Sequence, residues 1–182
     1  VSVAGPKSRE VLNNCVDDPS VVTNNNLPFM GVTSTFLKGK IPCRIARISF
    51  SGELAFEVYV KSDFANTMMD LLWEHTKKYD GCLYGLEALG ALRVEKGHVT
   101  AAELDGRVTI DDAGLSKMAS TKKSYIGSAM RKRGVLKSDD RETLVGFFPK
   151  NLKDTFNAGT IVCEKDNIKG QGIGRITSVT HS

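Results

Sequence analysis

Glu53 is the residue best placed to do chemistry. It follows Ser51-Gly52, a turn dipeptide, and opens an alternating run in which Leu54, Phe56, Val58 and Val60 interleave with Glu53, Ala55, Glu57 and Tyr59. That period of two is the signature of a half-buried strand, so 47–61 reads as two strands joined at Ser51-Gly52. One face goes to a core, and the other carries two carboxylates and a phenol. A carboxylate held at such a corner accepts well from a flat ligand that presents two adjacent N–H donors. The same pattern also describes an ordinary hairpin. Phe50, just before the turn, either lines a pocket or packs in the core. Arg93 lies four residues after Leu89 and seven after Leu86, at the edge of an apolar helical stripe, where it either snorkels outward or points into a site.

The elements that must carry these residues follow from pattern and punctuation. Residues 1–4 read as a strand, and Gly5-Pro6 opens a helix through about Cys15, since proline is tolerated in a first turn. Residues 16–40 are rich in Asp, Asn, Pro and Gly and read mostly as loop, with a short strand near 31–37. Ser62 or Asp63 caps the next helix, in which Phe64, Met68, Leu71 and Leu72 form one apolar stripe ending at Asp80-Gly81. A further helix runs from Leu86 to about Lys96 with Leu86, Leu89 and Leu92 inward. A helix is expected over 124–133, weakened by Gly127. From Leu144 the texture becomes β-like, at 144–148, 160–163 and 172–179. The expected fold class is α+β: a sheet with packed helices over 1–140, then the truncated start of a β-barrel-like domain over 141–182.

Composition narrows the function. With 182 residues, 41% hydrophobic and 25% charged, the chain is ordinary globular material able to bury a core. No apolar run approaches the roughly 18 residues of a membrane helix, so no membrane association is expected. The net charge of +4 is mild. Its one dense cluster, Lys122, Lys123 and Arg131-Lys132-Arg133, reads as solvated surface or as attraction for an anionic ligand tail or partner, and no nucleic-acid role is expected. Cys15, Cys43, Cys82 and Cys163 are scattered, as are the three histidines, so no metal site is expected and a reducing cytoplasm fits. Gly170-Gln171-Gly172-Ile173-Gly174 lacks the spacing of a dinucleotide fingerprint and runs on as strand, which points to a tight β-turn.

Three segments together are more specific: 3–9 (Val3-Ala4-Gly5-Pro6-Lys7-Ser8-Arg9), 51–58 around Gly52-Glu53, and 85–97 around Gly85-Leu86-Glu87-Ala88-Leu89-Gly90-Ala91-Leu92-Arg93. Ala113-Gly114-Leu115, Lys123-Ser124-Tyr125-Ile126-Gly127 and Gly174-Arg175-Ile176-Thr177-Ser178 continue the series in order. The whole chain thereby resembles the aminomethyltransferase family, the T-protein of glycine cleavage and its relatives. The T-protein usually has Ala-Arg-Asp where Ala88-Leu89-Gly90 stand, so that arginine's ligand role does not pass to Leu89. Thr177-Ser178-Val179 likewise replaces its Thr-Ser-Gly. Both departures resemble the folate-binding region of the sarcosine oxidase α-subunit branch.

The resemblance implies a T-protein-type, ferredoxin-like sheet and a tetrahydrofolate site in which Glu53 binds the pterin edge, with Phe50 and Arg93 as further ligand contacts. Arg93 would meet the folate's anionic tail or pair structurally with Glu95 or Glu57. It implies capture of the imine from sarcosine oxidation as 5,10-methylenetetrahydrofolate. FAD, FMN and NAD would be held elsewhere in a complex with other sarcosine oxidase subunits. The general base of relatives is an Asp upstream of the Gly-Pro segment, hence before Val1. No catalytic residue is therefore assigned, and the chain is expected to be an excised piece, inactive alone. The other branches implied are glycine cleavage T-protein and dimethylglycine or sarcosine dehydrogenase. A non-catalytic folate-binding or scaffold module is the alternative of another class. The version of it used in iron–sulfur assembly is disfavoured because 123–127 lacks that group's cysteine.

Overall fold

The chain divides into two units, Val1–Lys96 and Gly97–Ser182. The structure, a computed structural model, describes residues 1–151, 153–165, 170 and 172–181.

In the first unit four antiparallel strands form a sheet: β1 (Ser2–Ala4), β2 (Val32–Leu37), β3 (Ile41–Ala46) and β4 (Ala55–Tyr59), in the order β1-β4-β3-β2. Helices α1 (Ser8–Cys15) and α2 (Ala65–Lys77) share one core with it, and α3 (Leu86–Lys96) ends the unit. On α1 the buried residues are Ser8, Val11, Leu12 and Cys15, a helical stripe. On α2 they are Met68 and Leu72, with Phe64 and Leu71 packed partly against the core. From the sheet, Leu37, Ile41, Cys43, Ile45, Phe56 and Val58 complete that core. The alternation along β3 and β4 is what fixes this register, since a one-residue slip would turn Ile45 and Phe56 out to solvent.

Several details depart from expectation. Ala55, expected outward, is buried; its small side chain lies on the strand opposite Ala4 of β1. The 47–54 connection is an eight-residue loop rather than a tight turn, although the Ala46↔Glu57 register centres it on Ser51-Gly52. Neither Ser62 nor Asp63 caps α2 through its side chain; the two lie in a single 3₁₀ turn, Ser62–Phe64, that leads into the helix. The end of α2, by contrast, is closed as expected at Asp80-Gly81: Asp80 has φ +55° and the Gly81 amide donates to the Thr76 carbonyl at 3.1 Å. Leu86, expected inward, is 86% exposed, because it lines an open groove beside β1 and not the core.

The second unit is mostly turns. Over 124–133 the expected α-helix is replaced by a 3₁₀ turn, Met130–Lys132, because Gly127 stands at φ +91° and interrupts helical geometry. Residues 144–148 form no strand; the Leu144 amide instead donates to the Asp112 carbonyl at 2.9 Å. Strands β5 (Ile161–Val162) and β6 (Gly174–Arg175) pair antiparallel, and the pairing runs on through Ile176, whose amide donates to the Thr160 carbonyl at 2.8 Å. Gln171 of the glycine-rich run lies outside the described residues. Among the described residues no helix is long and apolar enough to cross a membrane.

Candidate functional site

The loop 47–54 is held at both ends by the first unit. At its start, the Arg47 amide donates to the Gly31 carbonyl and the Arg47 carbonyl accepts from the Met30 amide, each at 2.9 Å. At its end, the Leu54 carbonyl accepts two hydrogen bonds, from the Gly5 amide and from the Ser8 hydroxyl, each at 2.9 Å. The Gly5-Pro6-Lys7-Ser8 segment thus anchors the corner through the entry of α1. In between, Ser51 is buried and the Gly52 amide donates to the Ser49 hydroxyl at 2.9 Å. Gly52 has φ +91°, a conformation that glycine reaches without a steric penalty.

Glu53 is exposed at this corner, and its carboxylate has no hydrogen-bond or ion-pair partner among the described residues. The next acid along the chain, Glu57 on β4, accepts a hydrogen bond from the Tyr59 hydroxyl, which holds the phenol's pKa above its ordinary value. One carboxylate on this side is therefore engaged and the other is available. Phe50 is 40% exposed in the same loop, whereas Arg93 is half-buried on α3. The structure brings Phe50 and Glu53 onto one loop and leaves Arg93 on a separate element.

Two grooves open on this unit. One, about 360 Å³, lies between β1, Trp73 and Leu72 of α2, and the stretch from Cys82 to Leu89. The other, about 420 Å³, lies over the outer sheet face at Phe36, Arg44 and Tyr59. Glu53, Phe50 and Arg93 line neither among the described residues.

In the second unit several acids are tied into the fold. Glu103 is buried and accepts from the Thr100 amide at 2.7 Å and from the Thr100 and Ser178 hydroxyls. Arg141 pairs with buried Asp112 and holds its carboxyl down at about 2. Arg131 binds Asp111 through Nε and Nη2, each at 2.7 Å, and keeps that carboxyl well below the usual carboxylate range. Arg131, part of the basic cluster singled out in the sequence, therefore has a structural partner. Sequence reasoning missed these pairs because their partners lie 20 and 29 residues apart, where no local period links them. Among the described residues no group of three or more His, Cys, Asp or Glu is arranged to hold a metal ion.

Comparison with known proteins agrees with the motifs. Residues 1–123 match the GCVT N-terminal domain. The sarcosine oxidase subunit alpha of Rhizobium meliloti (strain 1021) is 36% identical over 167 residues, which cover 91% of this chain and 17% of the relative. That of Corynebacterium sp. (strain U-96) is 30% identical over 184 residues, covering all of this chain and 19% of the relative. The aminomethyltransferase of Halothermothrix orenii is 31% identical over 183 residues, covering 98% of this chain and 47% of the relative. The chain thus spans less than a fifth of the α subunits it matches and about half of the aminomethyltransferase.

Proposed function

Because the chain belongs to the GCVT N-terminal domain family, we propose that it is the tetrahydrofolate-binding, one-carbon-transfer portion of a sarcosine oxidase α subunit. The observation that carries this reading is the exposed carboxylate of Glu53, which has no partner among the described residues, on an anchored corner immediately after Gly52. The pterin edge presents a ring N–H beside an exocyclic amine, and an ionised carboxylate accepts from both. Each such charge-assisted hydrogen bond contributes about 1.5–3 kcal/mol. On this reading Glu53 supplies the acceptor pair, Phe50 an aromatic wall, and Arg93, on a separate element, either a cation for the anionic tail or a structural pair.

When bound, tetrahydrofolate would supply the two nitrogens that take up the one-carbon unit of the imine formed from sarcosine, giving 5,10-methylenetetrahydrofolate and releasing glycine, whose nitrogen receives the two protons that folate gives up. This chain's residues bind and orient. Glu53 fixes the ring edge, and the anchors on Leu54 and Arg47 keep the carboxylate from swinging away. Capture of the carbon by folate requires exclusion of water, which would otherwise release it as formaldehyde. No proton transfer is assigned to a residue of this chain.

On the same reading, FAD, FMN and NAD sit elsewhere in a multi-subunit assembly, the protein works in the cytoplasm, and 141–182 opens a C-terminal β-barrel domain, a placement supported by the β5–β6 pair. Glycine cleavage aminomethyltransferase is the second reading, supported by the Halothermothrix orenii aminomethyltransferase, whose match covers 98% of this chain and 47% of that protein. The test is calorimetric titration of 5-formyltetrahydrofolate into the full-length protein and its Glu53→Gln variant. The proposal expects affinity to fall at least tenfold in the variant, about 1.4 kcal/mol. Equal affinities would remove Glu53 from the site.

A further inference from the structure

Lys96, the last residue of α3, lies against the corner that carries Glu53. A Cβ placed on Gly52 would stand 2.9 Å from Lys96 Cδ, 3.0 Å from its Cγ and 3.1 Å from its Cβ. The aliphatic stem is therefore laid directly across the bare Cα of Gly52, in space that any other residue would fill. The ammonium has no carboxylate partner among the described residues, so packing of the stem and not an ion pair holds the side chain there. Gly97, at φ +75°, ends α3 immediately afterwards and fixes Lys96 as its final helical residue.

We propose that Lys96 is a positioning residue for Glu53, its methylene stem clamping Gly52 while the Gly5 amide and Ser8 hydroxyl clamp Leu54. Glu53 is then the one residue of the corner held between two fixed neighbours, which aims its carboxylate without engaging it. Gly52 serves twice, through its positive φ and through the room it leaves for the lysine stem. The inference rests on the proposed role of Glu53 as a ligand contact.

The experiment titrates 5-formyltetrahydrofolate into full-length wild type, Lys96→Ala, Lys96→Met, Glu53→Gln and the Glu53→Gln/Lys96→Ala double variant, with thermal melts alongside. Lys96→Ala is expected to weaken binding about tenfold, as for residues in one packed unit. Lys96→Met keeps the stem without the charge and should bind within about twofold of wild type. In the double variant the alanine should add little to the loss already caused by Glu53→Gln, whereas general destabilisation would subtract again. Lys96→Met binding as poorly as Lys96→Ala would overturn the proposal by showing that charge acts. Unchanged affinity in Lys96→Ala, with Glu53→Gln impaired, would overturn it and leave the role of Glu53 standing. Unchanged affinity in Glu53→Gln would remove that role and this inference together.

Discussion

Ser8→Ala probes the tie between α1 and the functional corner. Ser8 is 3% exposed and its hydroxyl donates to the Leu54 carbonyl at 2.9 Å. Removing Oγ breaks one hydrogen bond, yet the carbonyl keeps its second donor, the Gly5 amide, at 2.9 Å. The acceptor is not orphaned, so the full desolvation cost of about 1–3 kcal/mol does not apply. The expected loss is that of an ordinary hydrogen bond, about 0.5–1.5 kcal/mol. Alanine's better helix propensity, at most about 0.7 kcal/mol, offsets part of this at the first residue of α1. A net destabilisation near 0.7 kcal/mol follows from these two terms. Trp73 on α2 is the only tryptophan, so its fluorescence during urea unfolding reports on the unit concerned. With slopes of about 1–3 kcal/mol/M, the midpoint should fall by about 0.2–0.7 M at unchanged slope. A midpoint at or above that of wild type would refute the reasoning. So would a loss beyond about 3 kcal/mol, which would mean that Leu54 had been left without its second donor.

Two further outcomes concern titrating groups. Burial pushes the Cys15 and Cys43 thiols up to about 11, whereas Cys82 is exposed. A disulfide reagent at pH 8 should therefore label Cys82 first in the native protein and reach Cys15 and Cys43 only on unfolding; native-state labelling of Cys15 would contradict this. Arg141, by hydrogen bonding, holds the Asp112 carboxyl at about 2, below its ordinary value. That pair's stabilisation is present above about pH 4, the unfolded value, and is lost as the pH falls toward 2. Asp112→Asn should lower stability at neutral pH and flatten its fall across that window, as read by circular dichroism melts. An unchanged pH profile would contradict the pairing.

The sequence was most legible where local period and burial agree. The stripes of α1 and α2 and the alternation of β4 follow from which residues one core can take, whereas α3, which buries none of its residues, follows from its run of helix-favouring residues ended by Gly97. The corner was legible too, since Gly52 needs a positive φ and Glu53 follows it. The loop length was not, because pairing stops at Ala46 and Glu57 although the alternation runs on past them. The helix expected over 124–133 failed because Gly127 adopts φ +91° where helical periodicity alone would continue. Leu86 misled because a helical stripe shows which residues share a face and not whether anything covers it. Lys96 carries no signal of its own; only the stem's position over Gly52 reveals it.

The most direct measurement is the crystal structure of the full-length protein with 5-formyltetrahydrofolate bound. The account predicts both oxygens of Glu53 within about 3 Å of the pteridine's ring N–H and exocyclic amine. A bound ring system with the Glu53 side chain directed away from it would contradict the account.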